Sequence, residues 1–465
     1  MGRTELERDL SIIFSLMQSV ALWPYEYDTL LPAWLRGRYR ISSILNVLYF
    51  IFWQFICLHI AVFHIKTVLD SLDNFNDLFL VMVSAIIYCL MLLINLYFQL
   101  YYRKNVELIK ILKEMFKQRS AAGLTYIKFE SSRRHFIRLF KIWIVTCVLG
   151  TLHWAIFPIL QQEKVLPLQC WYPFDVRHSP MYELAFFGQV LGQLQVGIVY
   201  GMTGALLMMY IFTVCGQFDI LCCSLNNVYY TAMINRGGNR FTLAALQADQ
   251  EKILREPSHY YINEVFLEEL GQAPKTATKA FAPLPIKHQY LEKLQDDLVT
   301  ALDACIDHHA MLLNFCHQLE ECYHPFVMLK LGQMLSLLCV LSYMATVVFN
   351  PFQQDSLSAM KLMNIMEYFV LTMTELFLFC YLGQTLINQS SKVGDALMTT
   401  PWYEGGATFR RRVVFILMAS QKALKLTAFK MYRLDFETYF TVLKTAFSYY
   451  TLLKKLQSGH RRFVD

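Results

Sequence analysis

Read for apolar and polar positions, the chain falls into long uncharged runs separated by charged loops. Apolar runs of span length cover about 41–64 (ISSILNVLYFIFWQFICLHIAVFH), 75–101, 138–161 (RLFKIWIVTCVLGTLHWAIFPILQ), Glu183 to Cys215, 326–350 and 360–388. Runs of about 20 apolar residues are what a helix needs to cross a bilayer. A seventh run, Leu434 to Gln457 (LDFETYFTVLKTAFSYYTLLKKLQ), would reach roughly 36 Å as a helix but carries Glu437 and Lys444. At helical spacing Glu437, Thr441, Lys444, Ser448 and Thr451 fall on one side, and Phe440, Leu443, Phe447, Tyr450 and Leu453 cover most of the rest. A polar stripe at membrane depth is tolerated only against protein or water. The helix is therefore either packed in a bundle with its polar groups paired, or it lines a pore, one helix per subunit. In the second reading Tyr449 and Leu452 are the bulky residues able to narrow that pore.

The fold class expected is an all-α membrane protein of seven transmembrane helices. Composition agrees: 55% of the 465 residues are apolar and 17% are charged, against about 25% charged in soluble domains. Loop charge sets the orientation. Arg3, Arg8, Arg36, Arg38 and Arg40 precede the first span, and the second connection is rich in Lys and Arg from Arg103 to Arg134. The first, third and fifth connections hold few or none, which puts the N-terminus inside. Lys454, Lys455, Arg461 and Arg462, at the end expected outside, run against this pattern. Counting 409–430 as an eighth span would bring them in. Lys422 and Lys425 lie on one face there, flanked by Gln421 and Lys430, and an amphipathic interior-side helix is the better reading.

The organisation expected has five parts. Residues 1–217 hold an N-terminal amphipathic segment and helices one to four. Residues 218–324 form an intracellular helical extension with a turn at 234–240 and a flexible insert at 271–287. Helices five and six follow in 325–388, an anchor helix in 389–433, and helix seven with a short tail in 434–465. Spans four and five are expected to continue as helices below the membrane and to form a platform there with the anchor helix.

Several side chains could carry chemistry. Glu367 and Glu375, eight residues apart, share similar faces of span six; intramembrane carboxylates are functional candidates, or here partners for Lys444 or a hydroxyl. The outer halves of spans two, three, four and six carry Ser84, Ile87, Tyr88, Cys147, Gly150, Trp154, Met202, Leu206, Tyr368 and Phe369. Such a cluster forms an apolar pocket with a few polar tips, or simply aromatic packing. The Gly188, Gly192, Gly197, Gly201 and Gly204 series reads as close helix packing. The segment DHHAMLLNFCHQLEECYH offers His and Cys without structural-zinc spacing, so no metal is expected. The twelve cysteines do not lay out as a disulfide framework. The sequon Asn388-Gln389-Ser390 falls on the interior side. There is no Walker loop, GxSxG or HExxH, so no enzyme and no cofactor are expected, and the dispersed basic residues give no nucleic-acid signal.

A seven-span G-protein-coupled receptor would place its N-terminus outside, and DRY-type and NPxxY motifs are missing here. A secondary transporter would show duplicated halves. The residues themselves carry a resemblance. Phe379 to Gly405 (FCYLGQTLINQSSKVGDALMTTPWYEG), the basic stretch RRRVVFILMASQKALKLTAFKMYRLDFETYF, the ending VLKTAFSYYTLLKKL and the helix from His308 to Gln333 resemble the insect odorant receptors. The resemblance implies an odorant-gated non-selective cation channel in the plasma membrane of olfactory sensory neuron dendrites. It implies a heterotetramer with the odorant receptor co-receptor (Orco), a small volatile odorant, contacts with membrane lipid and no cofactor. It places the pocket among helices two, three, four and six, the pore along helix seven, the gate at Tyr449 and Leu452, and subunit contacts on the interior-side helices. SYYTLLKKL departs from the TYxxxxxQF of gustatory receptors and from the co-receptor's tail, so a ligand-tuned subunit is expected. A gustatory-type or G-protein-coupled chemoreceptor is the alternative. Lys444 is awkward in a cation pore and is expected to pair with Glu437 or turn away.

Overall fold

A computed structural model describes residues 2–25, 39–72, 75–117, 129–156, 165–168, 170–176, 178–238, 293–348 and 356–464. Helix α1, Gly2–Ser19, buries Leu6, Leu10, Ile13 and Met17, the i, i+4, i+7, i+11 stripe of an amphipathic helix. Two long apolar helices follow, α2 (Tyr39–Asp70) and α3 (Phe75–Leu100), then the short basic α4 (Tyr102–Glu114) and α5 (Phe129–Ile156). Next come α6 (Met181–Asn226) and α7 (Val228–Asn235), and after the insert α8 (Gln295–Val348) and α9 (Ser356–Met398). A 3₁₀ turn at Trp402–Glu404, α10 (Ala407–Ser420), a two-stranded hairpin (β1 Thr427–Ala428, β2 Tyr432–Arg433) and α11 (Phe436–Val464) complete the chain.

Among the described residues six helices, α2, α3, α5, α6, α8 and α9, are long and apolar enough to cross a membrane. Their outer faces are uncovered. Ile44, Leu48, Phe52 and Phe55 on α2 are exposed, as are Ile142, Val145, Val148 and Leu149 on α5. Contiguous apolar faces of that size suit lipid, not water. The expected seventh span, α11, has the length but not the hydropathy, because of its polar side.

Helix α6 is the buried axis. From Val199 to Leu225 nearly every side chain is inaccessible, and the helix packs against α1, α2, α5, α8 and α9. Its glycines make those approaches possible: a Cβ on Gly197 would stand 2.3 Å from Thr151 Oγ1, and one on Gly192 2.3 Å from Ile60 Cδ1.

The helical continuation expected of spans four and five is present in α6 and α8, and α9 continues beyond span six as well. Span four continues without a break to Asn226, span six to Met398, and α8 runs 54 residues, about 81 Å at 1.5 Å per residue, with Pro325 inside. Their extensions, with α4, α7, α10 and the hairpin, form a helical platform at one end. The hairpin docks beside Pro325: the Phe429 amide donates to the His324 carbonyl at 3.2 Å, and Thr427 Oγ1 donates to Glu320 at 2.6 Å. Here the sequence reading needs correction. The stretch 409–430 is not one helix. Helix α10 ends at Ser420, and the chain then turns through Phe429 and Lys430, both at positive φ (48° and 60°), to pair Thr427 with Arg433. Two successive left-handed residues make a tight hairpin turn, and the Lys422/Lys425 spacing looks helical without being so. The turn expected at 234–240 is present at Arg236–Gly237, with Gly237 at φ +96°. The flexible insert at 271–287 lies outside the described residues.

The platform returns the chain to α11 at a contact that requires a glycine. A Cβ on Gly383 would fall 2.0 Å from the Leu434 carbonyl oxygen. At the opposite end the segment before α6 folds back on the bundle. The Gln189 amide donates to the Leu168 carbonyl (3.0 Å) and accepts from its amide (2.8 Å), and the Trp171 amide donates to Thr67 Oγ1. Burial pushes the Cys170 thiol in this segment up to about 11, which keeps it protonated and unreactive at neutral pH.

Candidate functional site

Two buried apolar clusters meet unevenly. One runs through the platform, α6 and the middle of the bundle; the other gathers Val83, Ile87, Leu337, Leu341, Met344 and Ile365 near the far end. Between them α3, α5, α6, α8 and α9 leave a cavity of about 770 Å³, its open side included.

Of the residues the sequence singled out, Ser84, Ile87, Tyr88, Cys147, Gly150 and Tyr368 line this cavity. Met202 and Leu206 do not: both sit on the fully buried stretch of α6, sealed in the core. Phe369 is half-buried and packs against the core beside Tyr368, outside the lining. Trp154 belongs to the last turn of α5, and its side chain lies outside the described residues. Further lining comes from Trp143, Thr151, Gln193, Tyr200, Gln333 and Leu337. Helix α8, which supplies the last two, was missing from the expected pocket; the glutamine in KLGQML was the available signal.

The polar tips differ in how far they are already engaged. Thr372 and Thr151 donate back to carbonyls one turn earlier, at 2.8 Å in each case. Trp143 Nε1 donates to the Gly201 carbonyl at 3.2 Å. Tyr200 donates to the Ile87 carbonyl at 3.4 Å. Tyr88 is different. It is buried, its ring stacks on His64 (centroids 5.9 Å apart), and its hydroxyl has no hydrogen-bond partner among the described residues.

The two carboxylates of span six are held apart. Glu375 does not reach Lys444; it pairs with Lys330 of α8 at 2.5 Å, with 7% and 0% of the side chains exposed. Lys330 Nζ also sits 3.6 Å over the Tyr200 ring and 3.4 Å from Gln333 Oε1. A lone ammonium at this depth would be prohibitive, and the carboxylate, the ring face and the amide together replace its hydration. Glu367, two turns earlier, borders the cavity with 20% of its side chain exposed and lies 3.5 Å from His153 Nε2. Gly150 makes room for it: a Cβ there would stand 3.0 Å from Glu367 Oε1.

Helix α11 packs through one side. Val442 and Ala446 are buried against α8, where Cys339 Sγ lies 3.9 Å from the Ala446 carbonyl. Glu437, Thr441, Lys444 and Ser448 are all exposed on the opposite side, and Tyr449 and Leu452, each 51% exposed, flank them. Lys444 is in no ion pair among the described residues. Among the described residues the polar stripe is uncovered within one chain, with the Thr441 and Ser448 hydroxyls donating to carbonyls one turn earlier on the same helix.

Comparison with known proteins agrees with this architecture. Residues 74–447 match the family described as 7tm odorant receptor. The chain is 27% identical to Odorant receptor 83a of Drosophila melanogaster, over 97% of this chain and 96% of that one. It is 23% identical to the odorant receptor coreceptor of Aedes aegypti, over 63% of each. Its fold superposes on the insect olfactory receptor OR5 from Machilis hrabei, solved in complex with eugenol, with a TM-score of 0.69 at 12% identity, covering 98% of this chain and all of that one.

Proposed function

The chain belongs to the odorant receptor family, and from that premise we propose that it is the ligand-tuned subunit of an odorant-gated, non-selective cation channel. It is a multi-span membrane receptor and not an enzyme. In this reading a small volatile ligand occupies the cavity among α3, α5, α6, α8 and α9. The N-terminus is inside, α11 lines a central pore, and Tyr449 and Leu452 narrow it. The channel is a heterotetramer with the co-receptor in the plasma membrane of olfactory neurons. The observation that carries the reading is the side of α11 left open. A membrane-length helix whose polar stripe lies opposite its packed side needs water or another subunit there. Likeness to the coreceptors supports the partner, and the eugenol held by the Machilis receptor supports a small organic ligand.

The test is whole-cell current in cells expressing the chain with and without the co-receptor, under a panel of volatiles, with G-protein signalling blocked. Fast current that requires the co-receptor and survives the block is the expected result. Current abolished by the block would favour a G-protein-coupled or gustatory-type receptor and overturn the role given to α11.

A further inference from the structure

Buried charge around the cavity is unevenly distributed, and the imbalance bears on what the cavity accepts. Among the described residues two carboxylates line it, Glu367 and Glu375, and no lysine or arginine does. Lys330 is adjacent but fully buried, spent on Glu375, the Tyr200 face and Gln333. Glu375 is neutralised by that pair. Glu367 is not so enclosed: its neighbour His153 is 3.5 Å away, beyond strong hydrogen-bonding distance, and offers charge only when protonated. An ionised carboxylate is acceptor-only and in an apolar site it needs donors. While Glu367 is ionised, a ligand whose own polar atom only accepts, such as an ester, ketone or ether, leaves that carboxylate desolvated and unsatisfied.

We propose that this cavity selects molecules with a donor head, an amine or a hydroxyl on a small apolar body, and that Glu367 receives that head. The proposal rests on the receptor reading above and adds the ligand's chemical class and the residue that sets it. Gly150 is part of the device, because any side chain there would press on the carboxylate at 3.0 Å. The same face of α5 carries Cys147 and Thr151 toward the cavity, so the donor head is framed by α5 and α9 while the apolar body lies against Ile87, Leu337 and Leu371.

The experiment records agonist currents from the chain co-expressed with the co-receptor, using matched probes that differ only in the head. These are 2-phenylethylamine, 2-phenylethanol and 2-phenylethyl methyl ether, with hexylamine, 1-hexanol and hexyl methyl ether as the aliphatic series. The donor-bearing members are expected to act at concentrations at least about tenfold lower than the ethers, the scale of one charge-assisted hydrogen bond. Glu367→Gln is expected to weaken the amines by tenfold or more and the alcohols less, since the amide oxygen still accepts, and to leave the ethers unchanged. Gly150→Ala, which keeps the carboxylate but displaces it, is expected to weaken donors selectively as well. Labelling of surface protein normalises each variant. Ethers as potent as alcohols and amines, or Glu367→Gln shifting all heads equally, would overturn the proposal and leave the channel reading standing. Silence to every probe in the unmodified chain would count against the receptor reading and the proposal with it.

Discussion

Lys330 is a costly residue to bury. It lies on a helix long and apolar enough to span a membrane, fully buried and held by Glu375, Tyr200 and Gln333. Removing one member of such a pair strands the other charge, at a cost of roughly 3–5 kcal/mol, whereas replacing both with uncharged groups can be close to neutral. Lys330→Met is therefore expected to lower the thermal stability of detergent-solubilised protein sharply, and Glu375→Gln alone to do the same. The double variant should recover most of the loss. Melting followed by size-exclusion fluorescence reads all three, and a double variant no better than the singles would mean that the pair is not the origin of the effect. Tyr88 makes the opposite case. Its buried hydroxyl lacks a partner among the described residues, and the residue lines the cavity. Tyr88→Phe should then leave stability within about 1 kcal/mol of the parent, while altering the response to ligands that carry an acceptor. The sequence made Glu375 visible as an intramembrane carboxylate and Tyr88 as a pocket residue, but neither Lys330 nor its pairing. Glu375 was matched in prospect with Lys444, because a stripe on one helix and a carboxylate on another show no distance. Met202 and Leu206 had the composition of a pocket wall, yet the all-round apolar character of α6 seals them in.

At the scale of elements, period and charge were enough for the six apolar helices and for the odd character of the last one. They were not enough for ends. The continuation of spans four and five as helix was legible in the sequence, but that of span six to Met398 was not, since nothing in its apolar run marks where the helix ends. The hairpin after α10 was hidden for a related reason: Phe429 and Lys430 are not the residues that usually announce a left-handed turn. The contact between Gly383 and Leu434 was likewise illegible, since the two are brought together only when the hairpin turns the chain back. Alanine at Gly383 would have to push its Cβ into the Leu434 carbonyl at 2.0 Å. Such overpacking costs about 1–3 kcal/mol, and because the strain falls at the foot of α11, Gly383→Ala is expected to lower both melting temperature and maximal current while agonist ranking is kept. Helix α11 itself carries a sharper test. Lys444 projects from the exposed polar side, so a positive ring near a pore axis would oppose cation flow. Lys444→Gln should raise single-channel conductance or shift ion selectivity, read from reversal potentials in exchanged salts, without changing which odorant is preferred. A change in preference alone would remove Lys444 from the pore.

For the whole molecule, the two kinds of uncovered apolar surface must be told apart. Exposed residues on α2 and α5 belong to helices long and apolar enough to span a membrane, a surface that suits lipid. The platform's do not. Val414, Phe415 and Met418 of α10, with Phe429 and Met431 of the hairpin, are 49–74% exposed at the end of the molecule built by the helical extensions. Neighbouring Arg410 and Arg411 are exposed as well, and Arg412 is engaged with Asp303 at 2.7 Å. An apolar patch rimmed by charge outside the apolar helices is the mark of a protein contact, and in the channel proposed above, where α11 would close a ring with other subunits, that patch is the place expected for assembly. Phe415→Asp combined with Met418→Asp is expected to abolish co-purification with the co-receptor and with it all odorant-evoked current. The melting temperature of the separate subunit should barely change, because neither side chain is buried within it. A subunit that still assembles with both charges in place would move the contact elsewhere, and α11 would then have to hold the ring through its own flanks, at Phe440 and Phe447. Loss of assembly together with loss of fold would instead show that α10 is held in place by those residues within one chain, against the exposure they have here.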